Sequence, residues 1–212
     1  MNQDAVPTQS SDVVRYERSL VDREIRVRAK HPVLGKAILA VTPTPKGSRH
    51  LGKRAELIGK VGEDLQALSE SGLVVLHDRS IPGTSGNIEH FVVGNHGVTV
   101  VRAATSRGRV RVTKKAVYVG GTDLTIVVNG LKTRIDTVRH MVGGDAFVHG
   151  ALALPREHKA TLKEFGNIAV GPTQSLMNWL VEKHNSTPPE VDITSLAQSL
   201  NDVFIPAMLL EN

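Results

Sequence analysis

The spacing of apolar residues along the chain predicts a sheet with helices before and after it. Short runs rich in valine and isoleucine are separated by glycine-containing turns, which is typical of a β-meander. We expect strands at 73–78, 88–93, 98–104, 108–113, 115–119, 124–128, 148–154 and 167–171. Helical spacing of apolar residues predicts helices at 13–30, 51–71, 131–142, 173–184 and 193–203. This order indicates an α/β (mixed α+β) fold with a central mixed β-sheet flanked by helices.

The chain divides into three parts by composition. Residues 1–12 are polar and are expected to form a disordered tail. Residues 13–48 read as a basic helical extension followed by a Pro/Gly/Ser linker, and 49–212 as the folded domain. His31-Pro32 should end the first helix, because the residue before a proline avoids the α conformation.

Charge and composition narrow the possible partners. The net charge is +5, and one basic cluster, Arg102 to Lys115, contains no acidic residue. Such clusters favour an anionic partner, such as nucleic acid or a membrane surface, although a solvated basic face would look the same. The absence of cysteine, the polar N-terminus and the short apolar runs predict a cytoplasmic protein with no transmembrane segment.

The common catalytic motifs are missing from the sequence. It contains no G-x-S-x-G, no P-loop and no G-x-G-x-x-G. Its nine histidines include no pair at metal-ligand spacing. Any chemistry must therefore come from another arrangement of residues.

The helix "AELIGKVGEDLQAL" carries a track of small residues beside its apolar stripe. The track consists of Ala55, Gly59 and Gly62. Glycine is unfavourable inside a helix, so two of them one turn apart predict the close approach of another backbone. Glu63 lies at the edge of this track, where it is either part of a site or a solvated carboxylate.

The segment "NIEHFVVGNHGVTVVRAA" predicts a hairpin. With a two-residue loop at 95–96, Gly94 pairs with Gly97, and Glu89 lies opposite Arg102 on the same face of the sheet. A three-residue loop with a bulge would shift this register by one residue. Independently of the register, Arg102 could instead be a strand-end arginine that extends to solvent.

Four stretches between residues 59 and 131 carry a family resemblance. They are "GKVGED", "VLHDRSIPGTSGNIEHFVVGNHGVTVV", "RGRVRV" and "YVGGTDLTIVVNGL". The chain resembles the nuclease-related domain (NERD) family, a branch of the PD-(D/E)XK nuclease-like superfamily. Its N-terminal segment and C-terminal helices also resemble a bacterial subgroup of single-domain members. The resemblance implies a restriction-endonuclease-like core.

The resemblance also implies where catalytic residues should stand. Active members hold Mg²⁺ with three acidic residues and add a lysine that helps to place the nucleophile. The helix acid falls on Glu63 and the first strand acid on Glu89, whereas Arg102 and Ala104 replace the third acid and the lysine. The following helix often carries a glutamine near the site, and Arg134 stands there instead.

These replacements predict a site without its metal. A guanidinium repels a divalent cation, but it can form a bidentate ion pair with a carboxylate. Our hypothesis is that a Glu89–Arg102 ion pair replaces the metal site, so we expect no cofactor. Mg²⁺ is expected only if the protein is active, with Glu63 and Glu89 as its ligands.

The leading functional hypothesis is a catalytically degenerate NERD protein that binds nucleic acid, or another protein, as a scaffold or regulator. The cations expected to contact phosphates are Arg107, Arg109, Arg111, Lys114 and Lys115. The three arginines alternate along one predicted strand and would share a face. One alternative is an active Mg²⁺-dependent DNA or RNA nuclease. Another is an interaction module that does not bind nucleic acid and docks through its N-terminal helix on a protein or membrane surface.

Overall fold

The computed structural model describes residues 11–30, 46–143, 147–155 and 161–207. The helices are α1 (Ser11–Lys30), α2 (Lys46–Gln66), α3 (Thr125–Val142), α4 (Thr173–Ser186) and α5 (Ile193–Val203). The strands are β1 (Val74–Ser80), β2 (Asn87–Gly94), β3 (Gly97–Ala103), β4 (Val110–Val112), β5 (Val117–Val119), β6 (Thr122–Asp123), β7 (Val148–Leu154), β8 (Lys163–Phe165) and β9 (Ile168–Pro172). Most of the expected tail, the His31-Pro32 helix end and the linker up to residue 45 lie outside the described residues.

Six strands form the main sheet in the order β1-β2-β3-β7-β9-β8. The first three strands are antiparallel, β3, β7 and β9 run parallel, and β8 closes the edge in the antiparallel direction. Strands β4, β5 and β6 form a second, small antiparallel sheet. The mixed sheet flanked by helices is therefore confirmed.

Helices cover both faces of the main sheet. Helices α2 and α4 pack on one face, and α3 and α5 pack on the other. The sequence "ALAL" in β7 shows how alternation serves both layers. Ala151 and Ala153 lie in the core under α2 and α4, whereas Leu152 and Leu154 lie in the core under α3 and α5. Both faces are buried, which is why the strands read as nearly continuous apolar runs.

The hairpin between β2 and β3 has the predicted two-residue loop. Gly94 pairs with Gly97, and Phe91 pairs with Val100. Gly97 adopts φ +93°, and a Cβ there would stand 2.2 Å from the carbonyl oxygen of Phe147. Only glycine fits at this position, because its positive φ and the Phe147 carbonyl leave no room for a side chain.

Helix α2 begins earlier than the sequence pattern indicates. The expected start was residue 51, but the helix runs from Lys46, and a 3₁₀ segment at Ala67–Ser71 follows it. The proposed boundary at 48/49 therefore falls inside one continuous helix. Gly72 ends this unit as predicted, with φ +85° and its N–H directed at the carbonyls of Leu68 and Ser69.

The predicted strand at 124–128 is wrong, because this segment is the first turn of α3. Its β-branched residues favour a strand locally. However, Asp123 Oδ1 accepts a hydrogen bond from the backbone N–H of Thr125 at 2.8 Å, two residues on, which turns the chain where the helix begins. Val128 is buried while Ile126 is 88% exposed, so packing at helical spacing overrides local propensity.

The region before α3 also has fewer residues in β-strands than expected. The predicted strand at 108–113 is only β4, because Gly108 has φ +122° and packs against Gly120. The predicted strand at 115–119 shortens to β5. The polar loop before β9 contains a further strand, β8, which the sequence pattern did not indicate.

Candidate functional site

Glu89 lies near the start of β2 and is 6% exposed. The pairing of His90 with Val101 places it opposite Arg102, as the hairpin register predicts. Arg102 Nε lies 3.8 Å from Glu89 Oε1. The predicted Glu89–Arg102 ion pair is therefore present at the distance of a salt bridge, although this contact is longer than a hydrogen bond.

Two other groups bind the Glu89 carboxylate more closely. Arg54, at the N-terminal part of α2, donates from Nη2 to Oε1. The backbone N–H of Ala103 donates to Oε2 at 2.6 Å. A buried carboxylate is stable only when it is paired and hydrogen-bonded, and both oxygens of Glu89 meet this condition. Sequence reasoning missed Arg54, since nothing in its local pattern points to a residue 35 positions away.

Glu63 lies on a different side of α2. It is exposed, while Val61 and Leu65 on either side are buried against the sheet. Glu63 follows Arg54 by nine residues, or about two and a half helical turns. The two side chains therefore leave the helix in opposite directions, and it is Arg54 that reaches Glu89. The structure does not bring Glu63 and Glu89 together in the way that the resemblance implies.

Ala104 lies in the apolar core below α3. It is 8% exposed, and its backbone N–H donates to Ala153 O at 2.9 Å. The position that the resemblance assigns to a lysine thus holds a small apolar residue in a continuation of the β3–β7 ladder.

Mg²⁺ is bound by oxygen ligands in octahedral geometry, and the groups around Glu89 do not fit this requirement. Its oxygens accept from Arg54 and Ala103, and a second guanidinium, from Arg102, stands beside it. Across the described ranges, no three His, Cys, Asp or Glu side chains come together in a way that could hold a metal ion. We therefore assign no metal-dependent step to this site.

Arg134 on α3 closes the site from the opposite face of the sheet. Its Nε donates to the carbonyl of Asn87, and its Nη1 to the carbonyl of Gly130, each at 3.1 Å. A Cβ on Gly130 would stand 3.2 Å from Arg102 Nη1 and 3.6 Å from Arg134 Nη1. The guanidiniums of Arg102 and Arg134 therefore meet at the same helix position.

A buried histidine pair lies between the sheet and α2. His77 Nδ1 and His90 Nδ1 are 2.9 Å apart, and His77 Nε2 is 2.9 Å from Gln66 Oε1. One Nδ1 atom of the pair donates to the other, and His77 Nε2 shares a hydrogen bond with the side-chain amide of Gln66. Burial, and to a lesser degree the neighbouring His77, lower the pKa of His90 to about 3.

The small-residue track on α2 has a different role from the predicted one. A Cβ on Gly62 would stand 3.1 Å from His90 Cε1 and 3.5 Å from His77 Nδ1, so histidine rings and not a backbone pack here. A Cβ on Gly59 would meet nothing within 4 Å in the described part of the chain. The expected close backbone approach is therefore wrong, and one of the two glycines makes room for the histidine pair.

The basic residues after β3 are all on the surface. Arg109 and Arg111 flank the buried Val110, so they project from the same face of β4. Gly108 breaks the extended backbone, so strand alternation does not extend to Arg107. The guanidinium of Arg111 lies 4.8 Å above the ring of Tyr118. Five residues are exposed and form what we call the basic surface: Arg107, Arg109, Arg111, Lys114 and Lys115.

No family model, curated protein or solved structure matches this chain. The resemblance to the NERD family thus stays a hypothesis that rests on the quoted motifs. No helix in the described residues is long and apolar enough to cross a membrane.

Proposed function

We propose that this protein binds the phosphate backbone of nucleic acid without cleaving it, as a catalytically inactive member of the NERD family. The observation that carries the proposal is the basic surface: five exposed cations on and beside the β4–β5 hairpin, with no acidic residue between Glu89 and Asp123. Cations that contact phosphates supply most of the sequence-independent affinity of proteins for nucleic acid.

The site around Glu89 supports the inactive part of the proposal. Its carboxylate is already neutralised by Arg54 and Arg102, and Ala104 stands where a lysine is expected. Glu63 is exposed on the opposite side of α2 from Arg54. An active nuclease would have to rearrange these contacts before Glu89 could accept a metal ion, so this alternative receives no support from the geometry.

The basic surface is suited to phosphates and not to base edges. Its cations lie on a short hairpin, whereas reading bases needs an element that enters a groove. Aromatic residues are 3% of the sequence, so base stacking on single strands has few candidates. We therefore expect binding that depends strongly on salt and weakly on sequence.

The test compares two double variants of the whole chain on a duplex whose 5′ ends carry hydroxyl groups. Arg109→Gln with Arg111→Gln removes two charges from the basic surface, and Lys53→Gln with Lys60→Gln removes two exposed charges from α2. Fluorescence anisotropy from about 50 to 200 mM salt gives the slope of log K against log salt concentration.

We expect the slope of the arginine variant to fall by between about 1 and 2, and that of the lysine variant to stay unchanged. The same slope in the arginine variant and the parent protein would contradict the proposal. An equal fall of the slope in both variants would also contradict the proposal, since the change in salt dependence would then reflect net charge alone.

A further inference from the structure

Two backbone carbonyls hold Arg134 in place. It donates to Asn87 and Gly130, and among the described residues it forms no ion pair with a carboxylate. Hydrogen bonds to two carbonyls orient the guanidinium but leave its charge uncompensated. An oriented, half-buried cation without a carboxylate is a favourable place for an anion.

Arg102 brings a second guanidinium to the same position. The two Nη1 atoms flank the site of the missing Cβ at Gly130, at 3.2 Å from Arg102 and 3.6 Å from Arg134. A side chain at residue 130 would crowd the Arg102 guanidinium and contact that of Arg134. Glycine is unfavourable inside a helix, and at residue 130 it leaves room for these two guanidiniums.

The charged residues near this cluster in the described structure are mostly arginines. Arg54 and Arg102 contact Glu89, and Arg134 approaches Arg102 at Gly130. Asp78 lies opposite Glu89 in the β1–β2 register and accepts from the side-chain amide of Asn87. Among these named residues of the described structure, three guanidiniums stand against two carboxylates. Arg54 and Arg102 are 28% and 20% exposed, so a ligand can approach from solvent while screening stays below that of a free surface.

We propose that Arg102 and Arg134 bind a phosphate group beside Gly130. The planar guanidinium presents paired N–H donors that match phosphate oxygens, and two of them can bind one group from two sides. The phosphate is either the end of a nucleic-acid strand or a free phosphate ion. This site goes beyond the proposed backbone binding, because it uses none of the residues of the basic surface.

Titration of the full chain with inorganic phosphate, at constant ionic strength, tests the site directly by calorimetry. Arg134→Gln removes the uncompensated charge. Lys132→Gln is the control, because it removes a positive charge from the same helix at a residue that lies above the ring of Phe165. We expect saturable binding that weakens by about tenfold or more in Arg134→Gln and stays unchanged in Lys132→Gln. Absence of saturation, or equal affinity in Arg134→Gln and the parent, overturns the proposal.

Gly130→Ala provides a second variant that keeps every charge. The added methyl group crowds the Arg102 guanidinium at 3.2 Å while raising helix propensity, so we expect weaker phosphate binding without a lower melting temperature. Parent-like phosphate affinity in a folded Gly130→Ala protein would contradict the assigned geometry.

Oligonucleotides identify the source of the phosphate. A 5′-phosphorylated strand that binds more tightly than its 5′-hydroxyl counterpart, with the difference lost in Arg134→Gln, supports a strand end. Equal binding of the two strands, with inorganic phosphate still bound in an Arg134-dependent manner, supports a free phosphate ion. The two proposals can be contradicted independently. If the basic-surface variants bound the duplex as tightly as the parent protein, backbone binding by the basic surface would be contradicted, while the phosphate titration would still test Arg102 and Arg134.

Discussion

Arg54 on α2 and Glu89 on β2 are joined by a direct hydrogen-bonded ion pair across 35 positions of sequence. The carboxylate is almost completely buried, with 5% of its side chain exposed, whereas Arg54 is 28% exposed. The pair therefore attaches the N-terminal part of α2 to the edge of the site, and it occupies the carboxylate that a metal ion would need.

Removal of Arg54 should destabilise the fold. Arg54→Ala leaves Glu89 with the Ala103 amide and the more distant Arg102. We expect a loss of about 2 kcal/mol in the free energy of unfolding, below the usual penalty for a broken buried pair because Arg54 is partly exposed. Urea denaturation measures this loss. Lys60→Ala, which breaks an exposed pair with Glu56, is the control and should change little. A parent-like Arg54→Ala protein would show that the pair has no structural role.

Two glycines of α2 should respond in opposite ways to the same substitution. Gly59→Ala meets no atom within 4 Å in the described structure, so it should stabilise the protein by about 0.5 to 1 kcal/mol. Gly62→Ala places a methyl group 3.1 Å from His90 Cε1, so crowding of the histidine pair should cancel or reverse this gain. Thermal unfolding of the two variants gives the difference. Equal stabilisation by both substitutions would contradict the packing of the histidines against Gly62.

His90 should make stability depend on pH. Its pKa is lowered from 6.5 to about 3, so the unfolded chain binds more protons than the folded one between these values. The contribution of His90 to the free energy of unfolding is complete above about pH 6.5 and is lost as the pH falls toward 3. His90→Asn should reduce the slope of unfolding free energy against pH by about 1 kcal/mol per pH unit between about pH 5 and 6.5. The same substitution at the exposed His140, His140→Asn, is the matched control variant. An unaltered slope in His90→Asn would refute the assignment.

Divalent metal ions should find no specific site beside Glu89. The carboxylate already binds Arg54 and Ala103, and the Arg102 guanidinium repels a cation. Calorimetric titration with Mn²⁺ should show no saturable binding in the micromolar range. Micromolar binding that Glu89→Gln abolishes would contradict this expectation. If Glu63→Gln also abolished that binding, the result would favour the nuclease alternative.

Arg102 shows how far sequence reasoning extends toward the site. The two-residue loop and the alternation of β2 and β3 are local properties, so the Glu89–Arg102 relationship follows from counting along the hairpin. The contact itself is looser than such counting indicates, at 3.8 Å, because Arg54 has taken the nearer position. That residue comes from another element, and no periodicity predicts it.

The sequence by itself determined the order of most helices and strands, the β2–β3 register and the glycine that ends the α2 unit, because each depends on contacts between near neighbours. Only the tertiary structure decided that residues 124–128 are helical, that Glu63 faces away from Glu89, and that His77 pairs with His90. It also brought Arg134 to Arg102 at Gly130. These features depend on which faces of distant elements pack together, and burial of those faces outweighs local propensities that differ by less than about 1 kcal/mol.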